Sequence, residues 1–160
     1  MVKVAIFMGS KSDLDTVKPC ARVLDDLGVK YFMTVSSAHR TPERTRKLIT
    51  EMEEKGCQVF ICAAGMAAHL AGAVAASTIR PVIGIPINAS SLGGMDALLA
   101  TVQMPPGFPV STVALDKAGA KNAAWAAAQI LALQDQELAG KIESARQKMR
   151  DEVEKASQDI

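Results

Sequence analysis

The sequence predicts a three-layer α/β domain around an all or mostly parallel sheet, on three observations. Five short apolar, β-branched runs stand at residues 2–8, 30–35, 58–63, 81–87 and 110–115. They recur at intervals of roughly 23 to 29 residues, the length of a strand plus a crossover helix. The segments between them carry apolar residues at helical spacing. Strand and helix in alternation, joined by right-handed crossovers, give a flavodoxin-like strand order, here with a C-terminal helical extension.

The elements follow in order. The first run ends at Gly9, after which Leu14, Val17, Ala21, Leu24 and Leu27 fall on one helical face and Gly28 stands where a C-terminal cap belongs. Beyond the second run, a helix opens with Thr41 as N-cap and Pro42 in the first turn, passes through Leu48, Ile49 and Met52, and stops at Gly56. The third connection, 67–77, is short and alanine-rich, and the fourth, about 94–102, is headed by a glycine pair. A fifth helix runs from about Gly119 to Leu133. A last amphipathic segment, about 136–157, places Leu138, Ile142, Met149 and Val153 on one side. We expect a single domain over 1–160, with the helix of residues 135–160 packing on a neighbouring subunit.

Composition narrows the function. A chain of 160 residues, 49% apolar and 22% charged, buries one substantial core rather than two. Eighteen basic against 17 acidic residues leave a formal charge of +1, so no long-range positive field holds nucleic acid or an anionic membrane. No stretch of about 18 apolar residues occurs, and the N-terminal run is too short for a secretory leader; the expected setting is cytoplasmic. Cys20, Cys57 and Cys62 form no C-x-x-C pair, which argues against a disulfide framework or a zinc site of common spacing. Reduced thiols are expected, with Cys20 and Cys62 as small core residues. Alanines concentrate in two places, eight of the 14 residues 63–76 and seven of the 11 residues 118–128, which suits close packing and subunit contact.

In a sheet of this kind ligands bind beyond the carboxyl ends of the strands. Those positions hold Gly9-Ser10-Lys11-Ser12-Asp13, then Ser36-Ser37-Ala38-His39-Arg40-Thr41-Pro42, then Ala64-Gly65-Met66-Ala67-Ala68-His69. The first is a hydroxyl-rich turn opening a helix, where free amides favour a phosphate or carboxylate; Ser12 or Asp13 could equally be a plain helix cap. The second sets an imidazole that titrates near neutrality beside a guanidinium fork. His39 could move a proton while Arg40 clamps a phosphate, or His39 could cap the strand and Arg40 pair with a helix acid. His69 is open to a packed structural role as well as a catalytic one. The later edge residues Asn88, Ser90 and Ser91, the 93–96 segment and the 103–107 turn also fit a small polar ligand.

Several chemistries lose their handles. There is no G-x-x-x-x-G-K-[ST] and no G-x-G-x-x-G. Two histidines without a carboxylate cluster make no catalytic metal site, and no acid stands behind His39 for a serine triad. A phospho-accepting receiver would need an aspartate where the third run ends in Cys62 and Ala63. Cys62, in an apolar run, is expected to be buried and inert rather than a nucleophile. Trp125 and Tyr31 lie away from the positions a flavin would use.

Met8-Gly9-Ser10-Lys11-Ser12-Asp13, Ser37-Ala38-His39-Arg40-Thr41-Pro42, Ala67-Ala68-His69-Leu70, Gly84-Ile85-Pro86 and Val102-Gln103-Met104-Pro105 together resemble the bacterial PurE family of 5-(carboxyamino)imidazole ribonucleotide mutases of purine biosynthesis, collinearly from about residue 2 to 135. The resemblance implies a flavodoxin-like homo-octamer with sites near subunit contacts. It implies conversion of an N-carboxylated ribonucleotide to its C4-carboxylated isomer without metal or cofactor. By that likeness His39 is the catalytic proton shuttle, and Ser10, Ser12, Asp13, Ser37, Arg40, Ala64, Gly65, His69 and Leu70 bind substrate. Ser10, Asp13 and Arg40 would hold the ribose phosphate, and the 64–70 loop, with His69, would confine carbon dioxide.

The chain departs from the pattern Gly-Ala-Gly-Gly-Ala-Ala-His-Leu-Pro-Gly usual for the family. Ala63 and Met66 stand for glycines, Ala71 for the proline, and Cys62 for a preceding alanine; Asp116 likewise replaces a common glycine. Methionine at position 66 is strained if that position needs a positive φ. The sibling class that carboxylates aminoimidazole ribonucleotide directly usually carries lysine at the Arg40 position and lacks the His69 motif, so the mutase is favoured. Direct carboxylation, and a non-catalytic ribonucleotide-binding protein, are the alternatives.

Overall fold

The computed structural model describes residues 1–158. Five parallel strands, β1 (Val4–Met8), β2 (Tyr31–Val35), β3 (Val59–Gly65), β4 (Val82–Ile87) and β5 (Ser111–Thr112), form one sheet in the order β2-β1-β3-β4-β5. Six helices accompany them: α1 (Leu14–Leu27), α2 (Pro42–Glu54), α3 (Leu70–Ala75), α4 (Met95–Val102), α5 (Asp116–Ala132) and α6 (Gln136–Ser157). This is the predicted flavodoxin-like α/β fold. No helix of the described residues is long and apolar enough to cross a membrane.

Strand alternation sorts the side chains into two cores. Val4, Ile6 and Met8 of β1 join Val59, Ile61 and Ala63 of β3 and Ile83, Ile85 and Ile87 of β4 on the face covered by α1 and α5. Ala5 and Phe7 join Phe60, Cys62 and Val82 on the face covered by α2 and α3. Phe7 and Phe60 are neighbours there, their ring centroids 5.7 Å apart and tilted by 57°, one of the offset arrangements aromatic pairs prefer. The alanine run of α5 explains itself on the first face. Ala120, Ala123, Ala124, Ala127 and Ala128 are fully buried against α1 and the sheet, and larger side chains would hold the helices apart.

Gly28 ends α1 in the left-handed region, φ +73°, as predicted. Gly84 has a different reason to be glycine. A Cβ there would stand 2.3 Å from Thr101 Cγ2 and 2.9 Å from Val110 Cγ1, so its absence lets α4 lie against β4.

The fifth run forms only a two-residue strand, paired with Ile83 and Gly84. Asp116, at φ +57°, turns the chain out of the extended conformation of Leu115 and starts α5 three residues before Gly119. In α6, Leu138 and Ile142 join the core of their own chain. Beyond Ala145 every described residue is exposed; residues 159 and 160 of the expected 135–160 helix lie outside the described residues.

Candidate active site

The strand order places the site. Chain direction reverses about β1: the chain leaves it through α1 to β2 on one side and returns through α2 to β3 on the other. The loops beyond β1, β2 and β3 therefore surround a crevice at the strands' carboxyl ends. A cleft of about 590 Å³ lies there. It is lined by all ten residues the sequence singles out: Ser10, Ser12, Asp13, Ser37, His39, Arg40, Ala64, Gly65, His69 and Leu70. A larger groove, about 1340 Å³, lies between α1, α5 and α6. Neither histidine reaches it, and none of the strand-end motifs does, so size is a poor guide to the chemistry here.

The first loop is a capping box built over the short 3₁₀ turn Lys11–Asp13. The Ser12 amide donates to Ser10 Oγ at 3.3 Å, and the Ser10 amide donates to Asp13 Oδ2 at 3.1 Å. The Ser12 hydroxyl sits 2.9 Å from Ser10 Oγ and donates toward Asp13 Oδ1 at 3.4 Å. Ser10 and Asp13 thus cap the turn and, in the same geometry, hold two hydroxyls and a carboxylate at the cleft wall. Asp13 is 7% exposed. Burial pushes its carboxyl above the usual value of 3.8, and the Ser10 amide, the Ser12 hydroxyl and the Arg40 guanidinium partly offset that rise.

The second loop is pinned from within. Thr41 does not cap α2 through its side chain. Its Oγ1 accepts the Ser37 amide at 3.1 Å and donates to the Ser37 carbonyl at 3.1 Å, closing the turn that carries His39 and Arg40. Buried Ser36 and Thr45 bond each other at 2.8 Å beneath it. Arg40 Nη2–H donates to the Gly9 carbonyl at 2.7 Å and Nε–H donates to Ser37 Oγ at 3.3 Å. The guanidinium ties the first two loops together, and three of its five N–H groups stay free for a ligand. Among the described residues it makes no ion pair with a carboxylate.

His39 Nε2 and His69 Nδ1 are 2.8 Å apart, with the rings edge to face at 79°. Such a contact needs a proton on one nitrogen and a lone pair on the other. While bonded, the two imidazoles therefore hold at most one positive charge between them. That arrangement can pass a proton in either direction. Beside them, among the described residues, no cluster of three metal-ligating side chains forms.

Among the described residues, two non-glycine residues have positive φ, Met66 at +55° and Asp116 at +57°. Both are positions where the PurE pattern has glycine. Each left-handed residue costs about 1 kcal/mol. Asp116 recovers part of it, since its Oδ1 accepts the Asn88 amide at 2.9 Å. Met66 is 60% exposed and lines the cleft.

Gly9, Ala38, Ala67 and Ala89 also line the cleft, and of these only Ala89 falls outside the motifs that point to the site. Ala89 is brought in because β4 follows β3 in the sheet. Asn88, Ser90 and Ser91 and the 93–96 and 103–107 segments do not line the cleft of the single chain. Cys62 is buried within β3, its thiol pushed far above its ordinary range, and is no nucleophile.

The chain matches the AIR carboxylase family over residues 3–152. The chain belongs to that family. Curated relatives include the N5-carboxyaminoimidazole ribonucleotide mutases of Pyrococcus abyssi, 51% identical over 150 residues and covering 94% of this chain and 85% of that one, and of Escherichia coli K12, 48% identical over 151 residues and covering 94% and 89%. A crystal structure of Treponema denticola PurE superposes with a TM-score of 0.91 at 28% identity, covering 100% of this chain and 99% of that chain.

Proposed function

We propose that the chain isomerises N5-carboxyaminoimidazole ribonucleotide to 4-carboxy-5-aminoimidazole ribonucleotide in purine biosynthesis, with His39 as the proton shuttle. The observation that carries the reading is the His39–His69 bond in the same cleft as Arg40 and the Ser10–Asp13 turn. One end holds a proton carrier and the other holds donors for a phosphate.

Both carbon transfers are accounted for by that geometry. The N–carboxylate bond breaks, carbon dioxide departs, and the electron pair left on the exocyclic amino nitrogen takes a proton from His39. The imidazole C4 then attacks carbon dioxide, and His39, now neutral, removes the C4 proton so that the ring regains aromaticity. Protons balance over the cycle, and no cofactor or metal enters this scheme. Arg40, with Ser10 and Ser12, takes the phosphate. Ser37 orients Arg40. Asp13 accepts from ribose hydroxyls, and the 64–70 loop, with Ala64, Gly65 and Leu70, confines carbon dioxide beside His69.

Curated relatives bearing the mutase name at 46–51% identity support this reading over direct carboxylation. With it go a cytoplasmic setting and a homo-oligomer, the octamer of the resemblance. Leu92, Met95, Leu99 and Val102, spaced by three and four residues along α4 and its approach, are 47–65% exposed. Such an apolar stripe fits burial against further copies, as does the exposed outer part of α6 lying on a neighbouring subunit. His39→Asn tests the assignment. It is expected to bind the carboxylated product as tightly as the parent and to lose turnover about 10²- to 10⁴-fold; turnover at the parent's rate overturns the role of His39.

A further inference from the structure

The Val102-Gln103-Met104-Pro105 motif lies outside the cleft, yet its methionine touches the helix that carries His69. α3 has six residues, well short of the length at which a helix stands alone. His69 stands at its N-terminal edge: the Ala73 amide donates to the His69 carbonyl at 2.9 Å, and the His69 amide donates to the Ala67 carbonyl at 2.8 Å. Where α3 sits therefore decides where His69 sits. Leu70, Ala71, Val74 and Ala75 fix α3 by burial. At Gly72 the contact is with Met104: a Cβ there would stand 3.2 Å from Met104 Sδ and 3.5 Å from Met104 Cε. Gly72 has no positive φ, so glycine serves close approach at this position, at a cost in helix propensity. Met104 is held in turn. Its amide donates to the Val102 carbonyl at 2.9 Å, Pro105 keeps its backbone out of the helical region, and its side chain packs against the core that contains Leu70 and Val74.

We propose that Met104 is a positioning residue for proton handling: its thioether braces α3 at Gly72 and so holds His69 at bonding distance from His39. The kinetic consequence rests on the mutase reading above. The His39–His69 contact is 2.8 Å long, and a hydrogen bond weakens steeply once its partners are misaligned, so a small shift of α3 is felt at the ring pair. An unbranched, polarisable thioether follows a helix surface closely, and position 72 puts no side chain in its way. The 103–107 turn does not line the cleft, so Met104 acts through α3 rather than on substrate. The phosphate donors, Arg40 and the Ser10–Asp13 turn, stand on other loops. Loss of the brace therefore falls on kcat more than on KM.

The test reads the rings and the rate in the whole protein. The chain has two histidines, so histidine labelled with carbon-13 at Cε1 gives two ring signals, assigned with His39→Asn and His69→Asn. Met104→Ala is expected to move both signals from the parent's positions at the same pH, that of His39 included, although His39 stands on a different loop. Its kcat is expected to fall about 10-fold, with KM little changed. Met104→Leu, which conserves volume, is expected to stay close to the parent in both readouts. Gly72→Ala sets a methyl against the sulfur and is expected to move the signals and lower kcat. Combined with Met104→Ala, which makes room for that methyl, it is expected to cost less than the product of the two single losses. Parent-like signals or an unchanged kcat in Met104→Ala overturns the positioning role, whatever the melting temperature, and strictly multiplicative losses overturn the contact at Gly72. Should Met104→Ala not fold, Gly72→Ala decides by the same two readouts. Signals that move in Met104→Ala while the parent forms no 4-carboxy product leave the brace standing and overturn the mutase reading.

Discussion

His39 Nε2 and His69 Nδ1 stand 2.8 Å apart although 30 positions separate them in the chain. The bond joins the loop after β2 to the loop after β3, across the end of β1, which lies between those strands. The two imidazoles share one hydrogen bond, so once His39 is gone, removing His69 as well adds little. His39→Asn is expected to lower kcat about 10²- to 10⁴-fold. His69→Asn is expected to lower it less, and the double variant to be close to His39→Asn alone. Steady-state kinetics of the three variants decide; strictly multiplicative losses would mean that the histidines act separately.

Arg40 holds Gly9 O and Ser37 Oγ through two points of a planar fork, which an ammonium cannot reproduce. Arg40→Lys is expected to raise KM about 10- to 100-fold, the loss of one charge-assisted hydrogen-bond set, with a smaller change in kcat. Removing the phosphate from the substrate should erase most of the difference between parent and variant. A variant that loses kcat at unchanged KM would place Arg40 at the reacting ring instead.

Asp13 gives a pH-dependent effect on stability. Burial holds its folded-state carboxyl above the ordinary value of 3.8, so folding favours the protonated acid. That contribution is fully present below the unfolded value and is lost as pH rises through the folded one. At neutral pH the ionised group therefore weighs against the fold. Asp13→Asn keeps an oxygen to accept the Ser10 amide and is expected to raise Tm at pH 7, with the gain shrinking toward pH 3, while weakening substrate binding. Thermal melts across that range check the sign; a gain that grows in acid contradicts it.

All three thiols are buried and free. Burial pushes Cys57 up to about 11 and Cys20 up to about 12, and Cys62 higher still, so almost no thiolate exists at pH 8. Iodoacetamide at pH 8 is expected to leave the folded protein unmodified and active, and to alkylate three cysteines once guanidinium unfolds it. Intact-mass measurement counts them, and a thiol modified in the active folded state would contradict the burial account.

Much of this was legible beforehand, for local reasons. Gly28 announced the end of α1 because a left-handed cap is cheapest in glycine, and the motifs after the first three strands announced the site because a parallel sheet gathers its strand ends. Other features depend on contacts between distant segments. The His39–His69 bond arises only when β1 separates β2 from β3, and Ala89 enters the cleft only because β4 lies beside β3. The fifth run has the pattern of a full strand, yet only Ser111 and Thr112 pair with β4, and Asp116 beyond it opens α5 and accepts the Asn88 amide. Met66 and Asp116 stood out against the PurE pattern, and their positive φ angles supply the physical content of that departure. Thr41 stood where an N-cap belongs, but its hydroxyl braces Ser37 instead.

The central claim is that this cleft moves a carboxylate from nitrogen to carbon within one bound ribonucleotide. The most direct measurement compares initial rates on N5-carboxyaminoimidazole ribonucleotide with rates on aminoimidazole ribonucleotide plus bicarbonate, following the 4-carboxy product in both. Rapid conversion of the carboxyamino substrate, with little product from the second mixture at physiological bicarbonate, is the expected result. Faster product formation from aminoimidazole ribonucleotide and bicarbonate, or conversion of neither, would contradict it.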